Sequence, residues 1–112
     1  MKYKIVLVPF PFDDLSAHKV RPAICLTNSL KPYNHIILAF ITSQVATSPA
    51  RTEIILDASH PDFAVTGLKV SSAIRLHHLL TVTQRIIWRE LGVLPAALHR
   101  DVEQKLRYLF SL

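Results

Sequence analysis

Apolar residues in this chain come in short unbroken runs, separated by polar segments that contain proline. The first run, residues 3–9, is continuous in isoleucine, valine and leucine, which is typical of a strand covered on both faces. The segments between runs are rich in proline, serine, asparagine and aspartate, the residues that form turns. The pattern predicts five or six short strands, at residues 3–9, 22–27, 35–42, 52–56, 67–76 and 85–91.

The end of the chain has a different period, with apolar residues three or four positions apart. Pro95 suits the first turn of a helix. The stripe that this helix would bury consists of Leu98, Val102, Leu106, Leu109 and Phe110. We therefore expect an accessory helix that packs on a sheet face.

The length of 112 residues fits one domain, and we assign residues 1–112 to it. The sequence has no glycine-rich phosphate loop and no alternation of strands with helices, which disfavours a nucleotide-binding α/β fold. Short strands with turn signals between them favour a mainly β fold, a small barrel that is closed or nearly closed.

The amino-terminal segment has two lysines followed by an apolar run, as a secretory signal does. The run contains Pro9 and Pro11 and ends at Asp13 without a small-residue cleavage site. No segment is long enough to span a bilayer, so we expect a cytoplasmic protein that makes no membrane contact. The single cysteine, Cys25, lies in an apolar run and is expected to be a reduced core thiol.

The charged residues favour a polyanionic partner. Thirteen lysines and arginines against eight acidic residues give a net charge of +5, and nucleic acid is the commonest partner of such proteins. Arg21 precedes Pro22, which favours an extended backbone, and its guanidinium matches the geometry of a phosphate. Thr42 and Ser43 end an apolar strand, where hydroxyls donate to phosphate or cap a turn. A surface ion pair between Arg21 and an aspartate of the preceding loop is the alternative.

No metal site or cofactor is predicted. His77 and His78 are adjacent, so in a strand they point to opposite faces and make a poor metal pair. The sequence shows no carboxylate pair placed for glycoside hydrolysis and no nucleophile elbow. His18 and Lys19, in the loop before the second strand, suit contact with an anion. The residues alone thus indicate a small basic β barrel with a phosphate-binding cluster.

Four segments in this order resemble the PemK/MazF family of toxin ribonucleases: "IVLVPFPFDDLSAHKVRPAICLTN", "AFITSQ", "GLKVSSAIRLHHLLTV" and "IIWRELGVL". The resemblance implies an SH3-like small barrel with a C-terminal α-helix, usually in a homodimer. It also implies a sequence-selective endoribonuclease that cleaves single-stranded RNA without metal, by attack of the 2′-hydroxyl, and that a cognate antitoxin neutralises.

The resemblance further implies roles for individual residues. Arg21 and Thr42 fall on the positions that family members use at the scissile phosphate. The expected RNA-binding residues are His18, Lys19, Ser43, Gln44, Arg75 and His77. His77 stands where many relatives have an acidic residue, a change that bears on base preference, on proton transfer or on the level of activity.

Two alternatives remain open. The same fold serves as a non-catalytic module that binds nucleic acid or protein, since fold does not fix function. A protein–protein interaction, such as a partner helix in the groove, is the other. The apolar residues Phe40, Ile41, Ile87 and Trp88 exceed what one small core needs, which fits a dimer face.

Overall fold

The computed structural model describes residues 1–9 and 19–112. The described residues form six strands and one α-helix, joined by turns that include three short 3-10 segments. The elements are β1 (Lys4–Pro9), β2 (Val20–Cys25), β3 (His35–Thr42), β4 (Glu53–Leu56), β5 (Ser72–Thr83), β6 (Arg89–Val93) and α1 (His99–Phe110). The 3-10 segments are Phe63–Thr66, Gln84–Ile86 and Ala96–Leu98.

All six strands belong to one antiparallel sheet in the order β4-β5-β3-β2-β1-β6. The sheet curls into a half-barrel, and α1 follows its last strand. The prediction of a mainly β, small-barrel fold with a C-terminal helix is confirmed.

Both faces of the sheet are covered, which explains why the apolar runs are unbroken. In β1, Ile5 belongs to one buried cluster, while Val6 and Val8 belong to a second cluster on the other face. The first cluster also includes Leu94 and Val102, so the helix covers this face. At about 25 cal/mol per Å² of apolar surface removed from water, these two clusters supply the main driving force for folding.

The helix packs through only part of its predicted stripe. Val102 is buried, and Leu98 and Leu106 pack against the first cluster. Phe110 is 56% exposed, so its predicted burial is wrong. Eight residues at about 100° each turn Phe110 by about 80° from Val102, out of the buried stripe. Among the described residues, no helix has the length and apolar character needed to cross a bilayer.

Several element boundaries differ from the predictions. β6 runs from Arg89 to Val93 rather than over residues 85–91, because residues 84–86 form a 3-10 segment. β2 begins at Val20, because β1 pairs with it as far as Pro9. The predicted strand 67–76 and the connection after it are wrong, since β5 runs unbroken from Ser72 to Thr83. The seven residues 77–83 were predicted to be a connection because the segment begins with two histidines. Pairing with β3 nevertheless keeps residues 79–83 in the sheet.

Both glycines of the chain allow the turn at residues 63–67 to approach β6 closely. A Cβ at Gly92 would lie 2.1 Å from the Val65 carbonyl oxygen, and one at Gly67 would lie 1.9 Å from the Leu91 carbonyl oxygen. Gly67 also has φ +71°, a left-handed conformation that favours glycine. The contact fixes the position of the segment that follows, residues 68–71, beside the start of β2.

Candidate active site

Arg21 and Thr42 lie at the same end of the β2–β3 pair. The antiparallel pairing of these strands ends at Ala23 and Phe40. Arg21 is two residues beyond Ala23 and Thr42 is two residues beyond Phe40, so the same register, if continued, would bring them opposite each other. The backbone of Arg21 is extended, as predicted for a residue before proline. Two positions distant in sequence therefore become neighbours because the strands are antiparallel.

Thr42 can serve in both roles considered for it, as the cap of a turn and as a donor to phosphate. Its Oγ1 accepts a hydrogen bond from the Gln44 backbone N–H at 3.1 Å, so the hydroxyl does cap the turn that ends β3. A hydroxyl that accepts through its oxygen still carries a proton to donate. Thr42 can therefore cap the turn and donate to an anion in front of it.

A cavity of about 310 Å³ opens in front of this pair. Its lining residues offer two guanidinium groups, two hydroxyls, one amide and one imidazole above an apolar floor. They are Arg21, Phe40, Ile41, Thr42, Ser43, Gln44, Arg75 and His78. The predicted residues Ser43, Gln44 and Arg75 thus join the predicted catalytic pair.

A second cavity of about 410 Å³ adjoins the first and shares Arg21, Ile41, Thr42 and Ser43 with it. Lys69 and Arg89 also line the second cavity, together with the apolar residues Leu68 and Val70 of the segment that follows Gly67. We call the two cavities together the basic groove. The cations that line it, among residues 1–9 and 19–112, are the four side chains Arg21, Lys69, Arg75 and Arg89. Such a row of positive side chains along a depression attracts a polyanion and holds its phosphates.

Arg75 is held from behind by a carboxylate. Glu53 of β4 pairs with Arg75 of β5, and Glu53 Oε2 lies 3.6 Å from Arg75 Nε. The Glu53 side chain is only 8% exposed, and its Oε1 accepts a hydrogen bond from the Ala50 N–H at 2.9 Å. Because the carboxylate contacts Nε, the terminal nitrogens of the guanidinium are left to face the groove.

A bulge of three residues in β5 contains both histidines, which make different contacts. Ala39 of β3 pairs with Leu79, but the next residue, Phe40, pairs with Arg75, so residues 76–78 oppose no residue of β3. Within this bulge His77 turns toward β4, where its Nδ1 lies 2.8 Å from the Thr52 hydroxyl oxygen. His78 lines the groove, with its ring centroid 4.9 Å from that of Phe40.

The structure thus brings His78, and not His77, to the predicted catalytic pair. A role of His77 in RNA binding stays a prediction, but its ring is not part of the groove lining. Sequence reasoning also missed Lys69 and Arg89. The alternation of side chains along a strand predicted opposite faces for the two histidines, and the family resemblance pointed to His77 rather than His78.

The remaining predicted residues lie at or beyond the edge of what the structure describes. His18, and the aspartates considered as partners of Arg21, lie outside the described residues. Lys19 is exposed and does not line either cavity of the groove. In residues 1–9 and 19–112, no three His, Cys, Asp or Glu side chains gather as a metal site would require.

Cys25 is fully buried in the second cluster, as expected of a core thiol. Burial raises the pKa of the thiol to about 11, so it stays protonated near neutral pH. A buried protonated thiol is a poor nucleophile, and Cys25 is not part of the groove.

Solved structures with this fold cover nearly the whole chain. The Mycobacterium tuberculosis toxin MazF-mt6 matches with a TM-score of 0.74 at 22% identity, over 97% of each chain. An endoribonuclease from a mycobacterial species, solved in complex with its cognate antitoxin, matches with a TM-score of 0.73 at 10% identity, over 100% of this chain and 95% of that one. At these identities the likeness establishes the fold.

A third similar structure is the MazE–MazF complex of Deinococcus radiodurans, with a TM-score of 0.68 and 22% identity over 99% of this chain and 94% of that one. No curated protein matches the chain. The family model that matches, over residues 1–110, is described as the PemK-like, MazF-like toxin of the type II toxin–antitoxin system. Because the match spans nearly the whole sequence, the chain belongs to the PemK/MazF family of type II toxins.

Proposed function

We propose that this chain is an endoribonuclease toxin that cleaves single-stranded RNA in the basic groove. The observation that carries the proposal is that Arg21 and Thr42, from the adjacent antiparallel strands β2 and β3, line one cavity. Membership of a toxin family and the fold shared with a protein named as an endoribonuclease support it. RNA is the polyanion expected in the cytoplasm, where we place the protein.

The reaction uses the 2′-hydroxyl of the substrate as nucleophile, the group that distinguishes RNA from DNA. Attack on the adjacent phosphorus gives a phosphorane, and its collapse leaves a 2′,3′-cyclic phosphate and a 5′-hydroxyl. Arg21 and Arg75 stabilise the charge that develops on phosphorus-bound oxygens, while Thr42 and Ser43 donate to a non-bridging oxygen. One such positioned donor lowers the activation barrier by about 3 kcal/mol. The proposed reaction requires no metal.

The second cavity gives the RNA a path beyond the scissile phosphate. Lys69 and Arg89 hold flanking phosphates, since both line that cavity and Arg75 does not. Leu68 and Val70 offer apolar surface to a base between these cations. Contact with a base at this point is the source of the sequence selectivity that we propose.

We infer that the cognate antitoxin silences the enzyme by covering the basic groove with an acidic segment. The four cations of the groove would attract carboxylates as they attract phosphates. Coexpression with the product of the neighbouring gene should yield a complex that no longer cleaves RNA. Recovery of cleavage at high salt would support an electrostatic seal.

We also propose that the enzyme is a homodimer, with β6 near the contact. β6 is an edge strand, and Trp88 beside it is 68% exposed. Exposed apolar surface next to a strand edge is a common site of association. Sedimentation at micromolar concentration should give twice the mass of one chain, and Trp88→Lys should shift the protein toward the monomer.

The test of the proposed activity is cleavage of a long RNA by the purified protein in the presence of a chelator, with the new ends mapped. Arg21→Ala and Thr42→Ala should each lower the rate at least about 100-fold. Arg100→Ala on the exposed face of α1 and Thr81→Ala on β5 are matched controls outside the groove. Tight RNA binding without products would favour the non-catalytic module, and cleavage at the parent rate by both groove variants would refute the assignment.

A further inference from the structure

Among the described residues that line the groove, His78 in the β5 bulge is the one suited to accept a proton near neutral pH. This inference rests on the proposed RNA cleavage, in which the 2′-hydroxyl must lose its proton. Of the described residues that line the first cavity, Arg21 and Arg75 are permanently protonated, and the amide and hydroxyl side chains are neutral. His78 is the remaining polar group, and imidazole is the side chain that exchanges protons in this range.

The bulge explains how His78 comes to face the groove. In a regular ladder the three residues 76–78 would each oppose a residue of β3, and successive side chains would alternate between the faces. Here they oppose none, and the Leu76 N–H donates instead to the Thr52 carbonyl oxygen at 2.9 Å on the β4 side. Bulges re-aim side chains next to active sites in this way.

The surroundings of His78 orient its ring. On the β3 side the imidazole lies against the Phe40 ring, at a tilt of 49°, and Phe40 itself is only 6% exposed. In the part of the chain that the structure describes, the charged residues that share its cavity are Arg21 on β2 and Arg75 on β5, and the Glu53 carboxylate on β4 contacts Arg75. His77, the next residue in the chain, contacts Thr52 and faces away from the groove.

We propose that His78 is the general base of the cleavage reaction. Its imidazole takes the proton of the 2′-hydroxyl as the bond from the 2′ oxygen to phosphorus forms. The bond from phosphorus to the 5′ oxygen breaks, and its electron pair goes to that oxygen, which takes a proton from water. The imidazolium then returns its proton to solvent, so the enzyme is unchanged after each turnover.

The experiment measures kcat/KM against pH, with chelator present, on a short RNA that contains one mapped cleavage site. For a general base, activity of the wild-type chain falls on the acid side as the imidazole is protonated. His78→Gln should lose that acid limb and lower the rate at neutral pH by about 100-fold or more. His77→Gln, one residue away, should keep the acid limb whatever its effect on RNA affinity.

A second readout separates chemistry from structure. Free imidazole added to His78→Ala should restore part of the lost rate, in proportion to the concentration of its neutral form. An acid limb retained in His78→Gln, or no recovery with imidazole, would overturn this inference while wild-type cleavage still supported the proposed function. No cleavage by the wild-type chain would overturn both.

Discussion

The two ends of the β3–β5 ladder are built from the same pair of strands but serve different purposes. At one end, residues 35–39 pair in regular succession with residues 79–83, and Ile36, Leu38 and Val82 are buried in the second cluster. At the other end, Phe40 to Thr42 pair with residues 73–75 across the bulge, and this end opens into the basic groove. Three inserted residues thus divide one ladder into a half that only packs and a half that both packs and presents Thr42 and Arg75 to the groove.

The two halves of the ladder together explain how a polar site lies beside a stable core. The regular half contributes buried apolar side chains, whose removal costs free energy of unfolding. The bulged half also buries apolar side chains, Ile41 and Ile74 among them, but its half-buried Thr42 and Arg75 line the groove. Removing these polar groups should cost less stability than removing a core side chain, while it affects what the groove can bind.

The largest effects are expected when the two halves are tested in parallel. Leu38→Ala should lower the free energy of unfolding by about 2–5 kcal/mol, because Leu38 is fully buried. Thr42→Ala should lower it by only about 0.5–1.5 kcal/mol, because the turn loses one hydrogen bond, yet slow cleavage as described above. Urea unfolding followed by far-UV circular dichroism, with cleavage assays in the absence of denaturant, measures both. Equal destabilisation by the two variants would contradict the division.

A smaller effect is expected at the boundary between the halves. Glu53→Gln removes the charge behind Arg75 but keeps the size of the side chain, so the free energy of unfolding should fall by about 1 kcal/mol. The loosened guanidinium should also weaken RNA binding several-fold. Glu53→Asp, which keeps the charge, is the matched control for binding measured by fluorescence anisotropy. Unchanged affinity in Glu53→Gln would show that Arg75 needs no support from β4.

The smallest effect concerns the second cavity. Lys69→Ala should leave stability unchanged and weaken binding of single-stranded RNA modestly. The plot of log K against log salt should become shallower by about 0.7, because one phosphate contact is lost. Lys105→Ala, on the helix away from the groove, should leave the slope as it is. Equal slopes for Lys69→Ala and the parent would remove Lys69 from the RNA path.

The sequence predicted what local pattern and chain order determine. The strand at residues 35–42 matches β3, and β1 differs from its prediction by one residue at its start, because continuous apolar runs mark strands covered on both faces. That Arg21 and Thr42 line one cavity could be predicted, since they lie at the same end of two neighbouring antiparallel strands.

What the sequence did not predict depends on contacts between distant segments. The bulge arises from the different registers that β3 imposes on the two halves of β5, and no local pattern in "RLHHLL" shows it. Lys69 and Arg89 meet in one cavity because the turn at residues 63–67 packs on β6, a contact that both glycines allow. These two cations are the ones proposed to hold the RNA beyond the scissile phosphate.

The buried thiol of Cys25 gives this fold a built-in reporter of opening. Cys25 lies on β2, the strand that also carries Arg21, and its side chain is fully covered by its neighbours. A thiol-specific reagent therefore reacts only when this part of the sheet separates, so the labelling rate measures how often β2 leaves the sheet. Slower labelling in the presence of RNA or an inhibitory partner would show that the ligand clamps the strand on which catalysis depends.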